Sequence, residues 1–184
     1  MDTRTYHRAV AVNGRKIFYR EAGDPAAPTI LLLHGLPTSS RMFRNLIPAL
    51  ADRFHLVAPD YVGFGHSDAP PRGEFSYSFD KLAAHVAGLV DALGLTSYIV
   101  YMQDYGGPVG FRLFTRRPEQ VKGFIIQNAN AYLEGVGEAP KKVLLPLWEN
   151  RTPETEKPAR AFISLDGTRY QWLVGALTHP LISP

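Results

Sequence analysis

Short apolar runs, each ending in a polar residue beside Gly or Pro, set the rhythm of the first 131 residues. Three are clear: TILLLHGLP (29–37), FHLVAPDYVGFG (54–65) and SYIVYMQDYGG (97–107). A fourth, VKGFIIQNANA (121–131), follows the same plan more loosely. Runs without polar alternation predict strands buried on both faces, and therefore a parallel sheet. Upstream, residues 6–23 hold two strand-like segments around Asn13-Gly14, a strong hairpin signal. Helical periodicity fills the gaps. Leu82, Val86, Leu89, Val90 and Leu93 share one face, with Ser78 as N-cap and Gly94 as stop. Met42, Phe43, Leu46, Ile47 and Leu50 form a second stripe, which Pro48 should kink. A third helix over 106–118 ends in two arginines, suited to its negative end, and Pro118.

Hairpin, repeated strand–helix, then strand predicts an α/β fold: a mostly parallel, doubly wound sheet with an N-terminal hairpin and flanking helices. After about residue 131 the pattern changes. APKKVLLPLWEN, TPETEKPARAFISL and GTRYQWLVGALTHP predict three short helices interrupted by prolines and Gly167, with no further strand. The expected division is a sheet-bearing core over 1–131 and a helical cap over 132–184.

Composition narrows the function classes. The chain has 184 residues, enough for one well-buried domain with a small addition. Its net charge is only +3, and the basic residues are scattered, which argues against a nucleic-acid partner. The absence of cysteine excludes disulfides and thiolate metal sites and suits a reducing compartment. MDTRTYHRAV lacks the apolar core of a signal peptide, and no apolar run is long enough to span a bilayer. A cytoplasmic protein without metal, cofactor or membrane attachment is the expectation.

In an open α/β sheet, chemistry collects at the carboxyl ends of the strands. Here these are His34-Gly35-Leu36-Pro37, Asp60 to Ser67, Gln103-Asp104-Tyr105-Gly106-Gly107, and Asn128-Ala129-Asn130. The third reads as a nucleophile elbow, a strand–turn–helix that holds one side chain forward while glycines let backbone pass close by. Asp104 stands at its tip. The plainer reading makes Asp104 a helix cap and nothing more. Asp60, Gly63, Gly65 and Ser67 read as a shaped turn; Gly63-Phe64-Gly65 lacks the third glycine of a dinucleotide fingerprint.

HGLPTSSRMFRNLIPAL, PDYVGFGHSDAP and QDYGGPVG, in this order and spacing, resemble the motifs of α/β-hydrolases of the haloalkane dehalogenase and epoxide hydrolase group, over roughly residues 15–131. Met102 departs from the small residue usual two places before the nucleophile. The resemblance implies that Asp104 attacks an sp³ carbon and forms an alkyl-enzyme ester, with the backbone N–H groups of Leu36 and Tyr105 as oxyanion hole. The implied substrate is a small, largely apolar organic molecule. His34, Gln103, Asn128, Trp148 and Trp172 are its candidate pocket residues. His34 reads more readily as a buttress of its loop than as the catalytic base, and the tryptophans read more readily as apolar packing than as pocket lining.

The subfamily stays open. Many dehalogenases grip the halide with a Trp after the nucleophile and a side-chain amide in the His-Gly-x-Pro loop; Tyr105 and Leu36 stand there instead, and Leu donates nothing. Leu36 suits epoxide hydrolases, for which Tyr132 and Tyr170 are available as proton donors, whereas Gln103 and PTSSRMFRN are more dehalogenase-like. The resemblance also implies a carboxylate and a His beyond the elbow. The first position where the carboxylate falls is Asn128, five histidines precede the elbow, and His179 lies in the expected cap. The chain therefore reads as an incomplete enzyme, with GFIIQ (123–127) an uncovered strand edge inviting self-association. The alternative is a non-catalytic remnant or binding module.

Overall fold

Asn13 at φ 50° and Gly14 at φ 75° close the first hairpin, because a two-residue turn that matches strand twist needs positive φ at both centres. The strands they join are β1 (Tyr6–Val12) and β2 (Arg15–Ala22), paired from Tyr6↔Glu21 to Val12↔Arg15. This is a computed structural model describing residues 3–173, with the Trp172 side chain outside the described residues. Four further strands follow: β3 (Thr29–Leu33), β4 (His55–Pro59), β5 (Tyr98–Gln103) and β6 (Val121–Gln127). They form one sheet in the order β1-β2-β4-β3-β5-β6, antiparallel as far as β4 and parallel beyond it.

Side-chain alternation gives each face of the sheet its own core. Leu31 and Leu33 of β3 join Val57, Val86, Leu89, Val100, Met102 and Val109 on one side. Ile30 and Leu32 join Phe43, Ile47, Leu56 and Ala58 on the other. Burying each such side chain contributes about 1.5–3 kcal/mol. The first face is covered by α2 (Phe79–Ala92) and α3 (Gly106–Arg116). Ser78 caps α2 by accepting from the Lys81 N–H, and Gly94, at φ 64°, turns the chain out beyond its end.

Burial on both faces holds for β3 and β4 but not for the other two parallel strands. β5 alternates buried and half-buried positions, and β6 leaves Phe124, Ile125 and Ile126 exposed. The cause is position: among the described residues β6 is the terminal strand and pairs with β5 alone. The expected helix over 39–52 is also split. A 3₁₀ turn, Ser40–Phe43, is capped by Ser39, and α1 (Leu46–Leu50) begins after Asn45. Pro48 lies in the first turn of α1, where its missing N–H costs no helical bond, so it does not kink the helix.

Contacts divide the chain into two compact units, Met1–Ala131 and Tyr132–Pro184. The second contains α4 (Glu138–Glu149), α5 (Pro153–Phe162) and α6 (Leu165–Leu173). Their breaks fall at residues 150–152 and 163–164 rather than at the prolines and Gly167. Pro146 and Pro158 sit inside helices, Pro153 opens α5 beneath a Thr152–Thr155 capping box, and Gly167 lies in the first turn of α6. No helix among the described residues is long and apolar enough to cross a membrane.

Candidate active site

β5 ends at Gln103 and α3 begins at Gly106, which leaves two residues to reverse the chain. Asp104 takes φ 51°, a conformation that costs a non-glycine residue about 1–3 kcal/mol and persists only where the surroundings impose it. Those surroundings are backbone in close approach. A side chain at Gly106 would collide with the Leu33 carbonyl, and one at Gly107 would come within 2.9 Å of the Asn130 carbonyl oxygen. The elbow is thus wedged between the end of β3 and the segment that follows β6. A side chain at Gly35 would stand 2.8 Å from Asp104 Oδ1, so only glycine lets the 34–37 loop pass the carboxylate.

The Leu36 backbone N–H donates to Asp104 Oδ1 at 2.8 Å. No described residue donates a hydrogen bond to Oδ2, and Asp104 is half-buried. The carboxylate makes no capping bond to α3, whose N-cap is Tyr105. The plain helix-cap reading therefore fails on geometry: the carboxylate addresses the Leu36 loop. Tyr105 is half-buried, its ring set edge-on to Phe64 and Phe79. Burial first, and the charge of Asp104 second, push the Tyr105 hydroxyl above its ordinary range, and the same two causes push Tyr61 well above it.

His34 is fully buried, packed between Tyr61 and Phe64 and bonded to the loop it precedes. Its Nε2 accepts from the Tyr61 N–H at 3.4 Å, so Nδ1 carries the proton and donates to the Gly35 carbonyl at 2.9 Å. Tyr61 stacks on the imidazole at 4.2 Å and returns its hydroxyl to the His34 carbonyl at 3.0 Å. Burial holds the His34 pKa below the usual imidazole range, so the ring is neutral at pH 7. Tyr61 was not singled out in the sequence. The signal for it was its place at the carboxyl end of β4, directly after Asp60.

Asp60 is a structural clamp. Its oxygens accept from the Ser40 N–H at 2.7 Å and the His66 N–H at 2.8 Å, while Ser67 Oγ donates to its carbonyl and accepts from the Phe18 N–H. A side chain at Gly65 would fall on that carboxylate. Gln103 is half-buried beside Gly35, its Oε1 buried with no partner among the described residues. Asn128, at φ 45°, is exposed at the end of β6, while the following Ala129 and Asn130 lie against Gly107. Trp148 is 52% exposed on α4, in the other unit. The Trp172 side chain and His179 lie outside the described residues.

Five histidines are described, and none hydrogen-bonds Asp104. His7 meets Arg20, His55 bridges Thr29 and Glu21, His85 holds the Lys81 carbonyl, and His66 packs on Phe18. A separate cleft of about 220 Å³ lies between the first hairpin, α2 and α3, lined by Asn13, Gly88, Asp91, Tyr98, Arg117 and Gln120. It does not include Asp104.

A loop N–H holding a carboxylate on a strained strand–helix elbow, over a mainly parallel sheet, defines a class of fold and site. The sequence profile of the alpha/beta hydrolase fold matches residues 28–170, and the chain belongs to that family. Among curated proteins it is 46% identical over 145 residues to an uncharacterized hydrolase, YNR064C, of Saccharomyces cerevisiae, spanning 79% of this chain and 49% of that protein. It is 42% identical over 113 residues to haloalkane dehalogenase 2 of Mycobacterium tuberculosis, spanning 61% of this chain and 38% of that one. The chain thus spans about half or less of the length of these relatives. Among solved structures, haloalkane dehalogenase DbeA from Bradyrhizobium elkani superposes with a TM-score of 0.76 at 31% identity, over 98% of this chain and 60% of that one. An epoxide hydrolase mutant of Vigna radiata gives 0.62 at 33% identity, over 66% of this chain and 38% of that one.

Proposed function

We propose that this chain carries the nucleophilic half of a hydrolase acting at an sp³ carbon, with Asp104 as nucleophile and an alkyl halide or epoxide as substrate. The supporting observation is the Asp104 carboxylate itself: fixed at Oδ1 by the Leu36 N–H, strained at φ 51°, and accepting no hydrogen bond at Oδ2 from any described residue. Oδ2 attacks the carbon, and the carbon–halogen bond breaks with its electron pair leaving on the halide. With an epoxide the ring C–O bond breaks instead, leaving an alkoxide that takes a proton from water and releases hydroxide. The product in either case is an Asp104 alkyl ester. Its carbonyl oxygen is Oδ1, still facing the Leu36 N–H, which then stabilises the oxyanion formed when water attacks the ester carbonyl. The Tyr105 N–H, next to the elbow, is the second donor of that hole.

Neither the Leu36 nor the Tyr105 side chain supplies an indole or amide donor to a departing halide, and the haloalkane dehalogenases and epoxide hydrolase among the relatives leave both substrate types open. The second half-reaction needs a base to activate water, and no described histidine hydrogen-bonds Asp104, so the half-reaction proposed for this stretch of chain is formation of the ester. Incubation with a primary alkyl bromide or a terminal epoxide, followed by peptide mass spectrometry, tests it. An increment equal to the alkyl or hydroxyalkyl group should appear on the peptide containing Asp104 and disappear in Asp104→Asn. No increment from either reagent, or one that survives in Asp104→Asn, overturns it.

A further inference from the structure

Two hydrogen bonds fall on opposite sides of one peptide plane. The Gly35–Leu36 peptide is trans, since the one cis bond in the loop is Leu36–Pro37. In a trans peptide the carbonyl and the N–H point in opposite directions within a rigid plane. On one side the Gly35 carbonyl accepts from His34 Nδ1 at 2.9 Å and from the Thr38 N–H at 3.2 Å. On the other the Leu36 N–H donates to Asp104 Oδ1 at 2.8 Å. Rotation of the plane about its Cα–Cα axis breaks both sets together. Gly35 is the residue whose backbone resists such rotation least, having no side chain.

Resting on the reading above, we propose that His34 is a positioning residue for Asp104: its Nδ1–H grips the Gly35 carbonyl and thereby aims the Leu36 N–H at the nucleophile and, after attack, at the ester carbonyl. The imidazole is itself fixed. Tyr61 N–H occupies Nε2, the Tyr61 ring stacks on one face at 4.2 Å, and Phe64 packs edge-on at 5.3 Å. The buried ring cannot turn to offer its other nitrogen without losing the Tyr61 bond. Catalysis in this view passes from β4 through Tyr61 and His34 to a single N–H.

Two substitutions separate positioning from packing. His34→Asn places Nδ2 the same number of bonds from Cβ as imidazole Nδ1 and keeps the grip on Gly35. His34→Leu keeps apolar bulk and loses the donor. The first readout is the Leu36 amide proton in a ¹H–¹⁵N correlation spectrum, whose downfield, carboxylate-bonded position is defined by its loss in Asp104→Asn. His34→Asn should retain that position and His34→Leu should lose it. The second is Asp104 alkylation by the alkyl bromide: the limiting rate should fall roughly 10- to 100-fold in His34→Leu, with the half-saturating concentration little changed, and recover in His34→Asn. An unshifted Leu36 amide in folded His34→Leu, or equal damage in both variants, overturns the proposal. Should His34→Leu not fold, the Leu36 amide of His34→Asn decides alone, retention supporting and displacement refuting it. If the native chain shows no alkylation, the proposed function fails while the amide readout still decides the role of His34.

Discussion

β3 and β6 are written alike, as short branched-apolar runs, and the fold treats them in opposite ways. Ile30 to Leu33 are 3% exposed or less, whereas Phe124, Ile125 and Ile126 are 38%, 43% and 52% exposed. β3 has a strand on each side and an apolar layer on each face. Among the described residues β6 has β5 on one side only, and on one face Phe111 and Phe114 packing against Phe124. An unbroken apolar run states a demand for burial. What meets the demand is set by neighbours elsewhere in the chain, and the same words yield a core strand or an exposed one.

The largest effect should come from cutting into β3. Leu32 is fully buried among Phe43, Ile47 and Leu56. Leu32→Ala removes those contacts and leaves a cavity, for an expected loss of about 2–5 kcal/mol. Ile126→Ala, at a position about half exposed, should cost below about 1 kcal/mol by the smaller area it returns to water. Urea midpoints of the two variants measure the contrast. Equal losses would show that Ile126 is covered in solution, by a partner or a second copy of the chain.

A smaller effect on stability, but a clear one on solution behaviour, is expected along β6. Its free edge and exposed apolar side chains should make sedimentation concentration-dependent, and its amides should exchange faster than those of β3. Ile125→Lys places a charge on that strand and should suppress association while leaving the urea midpoint nearly unchanged. A monomer at all concentrations, with β6 amides as protected as those of β3, would refute the open-edge account.

Legibility followed locality. The hairpin was readable because Asn13-Gly14 can supply two positive φ values without outside help. The elbow was readable because a strand, one acid and two glycines in a row leave the chain few ways to turn. The edge position of β6 was expected for GFIIQ, but its open faces were not legible in its apolar run, because they depend on strand order, which no local pattern contains. The break after Arg44 was misplaced onto Pro48 because the harm done by proline depends on which turn of the helix it occupies. His34 was legible as a buttress, but its partner Tyr61 was not, since their stacking joins the ends of two different strands.

The smallest expected effect concerns the layer that covers β3 on the α2–α3 side. Asp91, near the end of α2, accepts two hydrogen bonds from Arg117, just beyond α3, one of them at 3.0 Å from Arg117 Nη2 to Oδ2. The hydrogen bond from Arg117 is the main cause holding the Asp91 carboxyl below its ordinary value of 3.8. A carboxyl with a depressed folded value binds protons less readily folded than unfolded, so its contribution is complete above the unfolded value and fades as pH falls through the folded one. Both side chains are well exposed, 39% for Arg117 and 52% for Asp91, so solvent screening keeps the contribution small. Asp91→Asn should therefore lower the urea midpoint slightly at pH 7, by an amount that shrinks as pH falls through the depressed folded value of Asp91. A gap that persists unchanged in acid would mean that Asp91 acts through packing or the end of α2 rather than through its charge, and that the helical cover of β3 owes nothing to this ion pair.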